Sequence, residues 1–336
     1  MIKHQSTLKE IASELNVSIS TVSRALNNNP RIGLRTRMLV QEVALKLNYI
    51  PNAAAQLLRK SKTLTIGVVL PYVGEEFFAL AITGIEDVIA TKGYSVLISQ
   101  SRDSYEREVN TVQSFIRSRV DGVLASISAK TDNYQHFKEL QNFGIPLVFF
   151  DRIPTNFVAH QVCGQVEQAA EDLVAFLAAR GLRRIAIVNG PIHLDISKQR
   201  LMGFIKGTRD HGIDVPPEMI ASVDLTQEDT AVCMERLCLR QRPPEAILGF
   251  NDEVCLQAMQ WCMKNGLVPN KDIYFVSYGN LPKTAFMQNP PLASIEQYPY
   301  KMGMKAAELL LQVIEQPYDS PLPPQQFLIE TKLIEH

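Results

Sequence analysis

The sequence predicts an α/β protein: an N-terminal all-α helix-turn-helix domain and a hinge helix, then two doubly wound parallel-sheet subdomains. Three observations carry this. Residues 7–27 form two short amphipathic helical patterns separated by a brief break. From Thr65 onward, apolar strand-like runs alternate with helical patterns, as parallel sheets covered on both faces require. Charge divides the chain: residues 1–60 hold nine Lys/Arg against three acids, net +6, whereas the whole 336-residue chain is −1, leaving −7 on residues 61–336. Such asymmetry points to nucleic acid at the basic end.

Thr7-Leu8-Lys9-Glu10 has capping-box spacing, so the Thr7 hydroxyl and the Glu10 carboxylate can each satisfy a free backbone N–H. Leu8, Ile11, Ala12 and Leu15 then recur on one helical face. Asn16-Val17 breaks the pattern and Ser18 is a good N-cap for a second helix. There Val22, Ala25 and Leu26 supply the buried side, leaving Ile19, Ser20, Thr21, Ser23, Arg24 and Asn27 outward. Asn27-Asn28-Asn29-Pro30 is a turn cluster, and a third helix over residues 34–47 offers Leu39, Val43, Ala44 and Leu47 as its stripe. A second helix with hydroxyls and an Arg on its free face suits the major groove, where Arg can bond guanine O6 and N7 together. A plain three-helix domain with a solvated face is the alternative.

Pro51 closes this domain. The segment Asn52-Ala-Ala-Ala-Gln-Leu-Leu-Arg-Lys60 is rich in helix formers but only about two turns long, so it needs something to pack on. It reads either as a hinge helix or as an Ala-rich linker.

The remaining 275 or so residues suffice for two subdomains. Strands are expected at residues 65–70, 95–99, 122–127, 146–150, 184–188, 220–223, 246–250 and 273–277, and helices at 166–180 and 253–265. The expected N-subdomain is 62–161 plus 295–325, and the C-subdomain 162–294 plus 326–336. The composition is 46% apolar without a membrane-length apolar run or a signal pattern, so a cytoplasmic protein is expected. Cys163, Cys233, Cys238, Cys255 and Cys262 form no CxxC pair and read as reduced and buried; neither a metal nor a cofactor is implied.

Ligands of parallel sheets sit beyond the carboxyl ends of strands. Those positions hold Phe77, Phe78, Ser128, Asp151, Arg152, residues 189–197, Arg200, Asn251, Asp252, Tyr278, Gly279 and Asn280, with Gln297 late in the chain. An aromatic platform with acids, an Arg and amides suits a sugar. Singly, each also reads as a strand-end or helix cap, and Phe77 and Phe78 equally as core.

The run Thr-x-x-x-Ile-Ala-x-x-x-Asn-Val-Ser-x-x-Thr-Val-Ser-Arg-x-Leu-Asn (7–27), continued by Leu47-Asn48-Tyr49-Ile50-Pro51-Asn52, Ala55, Leu58, Thr63, Ile66 and Gly67, resembles the lac-repressor (LacI-type) transcription regulators. The later part resembles that family's periplasmic-sugar-binding-protein-like core through Phe77, Phe78, Asp151, Arg200-Leu-x-Gly203-Phe204, Asn251-Asp252 and Gln297. The resemblance implies that Ile19, Ser20 and Arg24 read bases while Thr21, Ser23 and Asn27 anchor phosphates. It also implies DNA contact by Thr7, Ser18, Tyr49, Asn52, Ala55 and Arg59. Leu58 becomes a minor-groove wedge on a hinge helix that folds on DNA, with Leu57 its rival if the register slips.

The implied partners are a two-fold, pseudo-palindromic double-stranded operator, a sugar or sugar-derivative effector, and a second copy in a dimer or tetramer, with no membrane. Gly33 departs from the family's capping Ser, which predicts a weaker cap. Cys163-Gly164 and Gly279 replace family acids and an amide, and Leu194 replaces the Arg of a purine-responsive member. These departures predict a cleft less acidic than usual. A sugar-binding transport protein is the competing class. An enzyme is not supported: Gly67-Val-Val-Leu-Pro lacks the dinucleotide glycines, and no P-loop or Gly-x-Ser-x-Gly elbow occurs.

Overall fold

The computed structural model describes residues 6–49, 62–317 and 322–336. The chain divides into two compact units, residues 1–62 and 63–336. The hinge segment lies outside the described residues.

The first unit packs three helices, α1 (Leu8–Leu15), α2 (Ile19–Leu26) and α3 (Leu34–Lys46), around Ile11, Ala12, Val22, Ala25, Val40 and Ala44. Both reciprocal bonds of the Thr7/Glu10 capping box form: the Thr7 N–H donates to Glu10 Oε2 at 2.8 Å and the Glu10 N–H to Thr7 Oγ1 at 3.4 Å. Asn16 ends α1 in the left-handed conformation at φ 52°, and the Ser18 hydroxyl accepts from the Thr21 N–H at 3.1 Å. Gly33 caps α3 without a side-chain bond, yet the helix forms. One assignment changes: Leu39 faces outward and Val40 fills the core in its place, because the stripe of α3 runs through residues 40, 43, 44 and 47.

The second unit contains two lobes, each on a six-stranded sheet. In the first lobe β1 (Thr65–Leu70), β2 (Ser95–Gln100), β3 (Gly122–Ala125), β4 (Leu147–Phe150), β5 (His160–Gly164) and β11 (Gln326–Ile329) pair in the order β11-β5-β4-β3-β1-β2, all parallel. In the second, β6 (Ile185–Asn189), β7 (Ile220–Ser222), β8 (Ala246–Gly249), β9 (Tyr274–Gly279), β10 (Ala293–Glu296) and β12 (Lys332–Glu335) pair as β12-β10-β9-β8-β6-β7, with only β12 antiparallel.

The chain passes between lobes after Gly164, after Glu296 and after Ile329. This corrects the expected subdomain limits. His160–Gly164 and Gln326–Ile329 pair with one another on the first sheet, Gln161 opposite Gln326, so neither belongs wholly to the second lobe, and β10 belongs to the second.

Between strands lie α4 (Glu76–Ala90), α5 (Tyr105–Ser118), α6 (Gln135–Asn142), α7 (Val166–Ala179), α8 (Asp195–Asp210), α9 (Gln227–Cys238), α10 (Asp252–Lys264) and α11 (Pro299–Glu315). Two helix pairs approach to backbone contact. A Cβ on Gly303 of α11 would lie 2.0 Å from the Ala81 carbonyl of α4, and one on Gly203 of α8 would lie 2.0 Å from the Glu167 carbonyl of α7. The glycine of the Arg200-Leu-x-Gly203 motif therefore seats α8, and with it Arg200, against α7. All five cysteines are free thiols, Cys238 alone being half-buried.

Candidate functional site

The carboxyl ends of both sheets meet at an open cleft. The first lobe contributes Glu75, Glu76 and Phe77 from the start of α4, and Asp151 and Arg152 from the turn after β4. The second contributes Ile196 and Arg200 from α8, Phe250 to Glu253 from the start of α10, Tyr278, Gly279, Leu281 and Lys283 after β9, and Gln297.

Arg200 is the centrepiece. Its guanidinium is 2% exposed and lies 4.1 Å from the Tyr278 ring centroid and 4.3 Å from that of Phe250. One terminal nitrogen donates to the Phe250 carbonyl at 2.6 Å and the other to Gln297 Oε1 at 3.2 Å. Nε is buried with no partner among the described residues. Burial pulls the group down to about 10, so it stays charged at neutral pH. An orphaned donor on a buried cation costs free energy until something accepts from it.

Asp151 follows β4 in the left-handed conformation at φ 58°, which turns it into the cleft. Its burial raises the carboxyl above the usual range against the pull of Arg152 and Arg200. Arg152 donates to Asp103 at 2.8 Å and reaches Glu75 only at 3.9 Å. Glu75 is in turn pushed up to about 7 by burial, Arg152 countering and Asp103, Asp151 and Glu253 reinforcing.

On the other lobe Asn251 caps α10, its Oδ1 accepting from the Val254 N–H at 2.9 Å. Asp252 accepts from the Ser277 hydroxyl and, at 3.0 Å, from the Leu281 N–H. This explains Gly279: at φ 143°, a Cβ there would stand 2.5 Å from Asp252 Oδ2. The Asp252 carboxylate occupies the space a side chain at 279 would need.

The cleft thus gathers Phe77, Asp151, Arg200, Asn251, Asp252 and Gln297 as the sequence suggests. Three others point elsewhere. Phe78 is buried among core residues, edge-on to Phe77 at 5.3 Å and to Phe150 at 6.5 Å. Ser128 is fully buried: its N–H donates to Glu108 at 2.6 Å and its hydroxyl accepts from the Lys130 N–H at 3.3 Å. Asn280 donates to Glu296 at 2.7 Å and lines a separate hollow near Pro299.

Glu75, Glu76, Asp151, Asp252 and Glu253 set five carboxylates against Arg152, Arg200 and Lys283. Sequence reading missed Glu75, Glu76, Glu253 and Lys283; the signal available was an acid pair immediately before Phe77. Cys163 and Gly164 line a small adjoining hollow that shares Asp151 and Ile196 with the cleft.

In the first unit, α2 presents Ile19, Ser20 and Arg24 exposed, with Thr21 and Ser23 half-buried beside them. Ser18 Oγ lies 2.8 Å from the hydroxyls of both Ser20 and Thr21, and Asn27 donates to the Ser23 carbonyl at 2.7 Å. Thr7 and Ser18 serve as N-caps, and Tyr49 packs on the three-helix core. Asn52, Ala55, Leu58 and Arg59 lie outside the described residues.

Two families match the chain: residues 7–52 match "Bacterial regulatory proteins, lacI family" and residues 66–317 match "Periplasmic binding protein domain". Catabolite control protein A of Priestia megaterium is 31% identical over 306 residues, covering 90% of this chain and 91% of that one. The HTH-type transcriptional repressor CytR of Escherichia coli K12 is 30% identical over 305 residues, 91% of this chain and 89% of its own. The crystal structure of the lac repressor dimer bound to operator and the anti-inducer ONPF shares the fold with a TM-score of 0.83 at 24% identity, covering 99% of this chain and 98% of that one.

Proposed function

Since the chain belongs to the lacI family of bacterial regulatory proteins, we propose that it is a cytoplasmic, homodimeric repressor whose cleft takes a sugar or sugar derivative. It is a DNA-binding transcriptional regulator controlled by a small-molecule effector, and not an enzyme. No helix among the described residues is long and apolar enough to cross a membrane.

The observation that carries the effector reading is the buried, unpartnered Nε of Arg200 at a cleft built from the carboxyl ends of two sheets. A hydroxyl oxygen there completes the guanidinium's hydrogen bonding, while Phe77 offers an apolar face and Asn251 an amide. The three crossings between lobes let them close on a ligand as a hinge. A ligand that contacts both lobes favours the closed state by its differential affinity for it.

The start of the core is held by Asp121, which accepts from the Thr63 N–H at 2.7 Å and the Leu64 N–H at 2.8 Å. Movement of the first lobe is passed through this clamp towards the segment that joins the DNA-binding helices in sequence. Two copies then place two α2 helices on a two-fold operator, Ile19, Ser20 and Arg24 reading bases and Thr21, Ser23 and Asn27 positioning on phosphates. Leu58 at the hinge would wedge the minor groove. The test is selection of an operator from a random pool by the full chain, then measurement of its affinity with and without sugars. A panel-wide failure to change that affinity would contradict the effector role.

A further inference from the structure

The charges at the cleft are unevenly satisfied. Lys283 is held by Glu253 at 3.1 Å, and Arg152 by Asp103 at 2.8 Å. Arg200 spends its terminal nitrogens on Phe250 and Gln297. Asp252 has two donors of its own, and Glu76 accepts from the Lys283 N–H at 3.4 Å. Glu75 and Asp151 are left: Glu75 has only the 3.9 Å approach of Arg152, and Asp151 lies in the field of Arg152 and Arg200. Both line the cleft beside the unpartnered Arg200 Nε.

We propose that the effector is a hydroxylated amine, its protonated nitrogen taken by Glu75 and Asp151 and one hydroxyl oxygen accepting from Arg200 Nε. The inference rests on reading the cleft as the effector site. A neutral sugar satisfies Arg200 but leaves Glu75 and Asp151, together with Asp103, to share the charge of Arg152 and Arg200, and an anionic ligand adds to that excess of negative charge. An ammonium supplies up to three donors and the missing positive charge together. Burial holds Glu75 and Asp151 above the ordinary carboxylate range although Arg152 draws both down and Arg200 draws down Asp151. A bidentate carboxylate ligand is disfavoured at Arg200, since only Nε is free.

The test is calorimetric titration of the full-length protein with glucosamine, galactosamine and mannosamine, each paired with its parent hexose. The inference predicts that at least one amine binds about tenfold or more tightly than its parent, the scale of a charge-assisted hydrogen bond. Glu75→Gln then shrinks that preference to about twofold or less. A parent hexose binding as tightly as its amine, or no binding by any of the three amines, overturns the inference. The wild-type comparison decides this even if Glu75→Gln fails to fold. Arg200→Met separates the two readings: a hexose whose binding it abolishes leaves the cleft standing as an effector site without the amine, whereas ligand binding unaffected by it overturns the cleft reading too.

Discussion

The second helix of the N-terminal unit and the cleft of the core use polar side chains in opposite ways. On α2 Ser20 and Arg24 stand in water with the half-buried Thr21 and Ser23 beside them, and short local bonds tie Ser18 to Ser20 and Thr21. In the cleft, Arg200, Asp151, Asp252 and Gln297 are all more than nine-tenths buried. An exposed basic surface gains from releasing counterions off a polyanion, so its binding is long-ranged and screened by salt. A desolvated cluster is barely screened and discriminates by leaving groups unpartnered when the wrong ligand binds. One chain thus reads a polymer by field and contour, and a small molecule by hydrogen-bond accounting.

The largest expected effect separates the two by salt. Operator affinity should fall by about 10³-fold or more between 50 and 200 mM salt if six or more phosphates are contacted. Effector affinity should change by less than about threefold over that range. Equal slopes in the two titrations would break the contrast. Next, Arg200→Ala should weaken effector binding about 100-fold, because it removes the buried donor and leaves Gln297 unpartnered; calorimetry checks this. On the other side, Arg24→Ala should cost about 1–3 kcal/mol and relax preference at one base pair, read by binding to single-base operator variants.

A smaller effect comes from pH. The Glu75 carboxyl rises from its ordinary 4.5 to about 7 in the folded protein, so the folded state holds that proton more tightly than the unfolded chain. Its stabilising contribution is complete below about 4.5 and is lost as pH rises through about 7. The unliganded thermal midpoint should decline across this window, less so in Glu75→Gln. The smallest effect is Gly33→Ser. Nothing lies within 4 Å of the added Cβ, and a Ser hydroxyl can cap α3, for a gain of a few tenths of a kcal/mol in the thermal unfolding of the N-terminal unit.

What the sequence reveals follows the range of the interactions. Thr7, Ser18 and Asn16 act within four residues of themselves, so α1 and α2 are readable to the residue. The strands missed, β5 and β10 to β12, lie where the chain passes between lobes. His160-Gln-Val-Cys-Gly164 opens on polar residues, and Gln326–Ile329 offers only the short run Phe327-Leu328-Ile329, alternately exposed at a sheet edge. Gln326–Ile329 becomes a strand by pairing with β5, more than 160 residues away, Gln161 standing opposite Gln326.

In the cleft, position after a strand finds Asp151, Asn251 and Asp252 but not side-chain direction. Phe78, Ser128 and Asn280 share that position and turn away towards Phe150, Glu108 and Glu296. Glu75, Glu76 and Glu253 escape notice because acids at helix starts ordinarily serve the helix dipole. Only the folded lobes show them facing one space.

The proposed coupling between ligand in the cleft and DNA on α2 runs through one chain. It is tested most directly by fluorescence anisotropy of the full-length protein on its selected operator, at fixed salt, with and without saturating cleft ligand. The account predicts a change in operator dissociation constant of about 5–150-fold, with ligand affinity changed reciprocally by the same factor when operator is bound. An operator affinity unmoved by a ligand shown to occupy the cleft would contradict it.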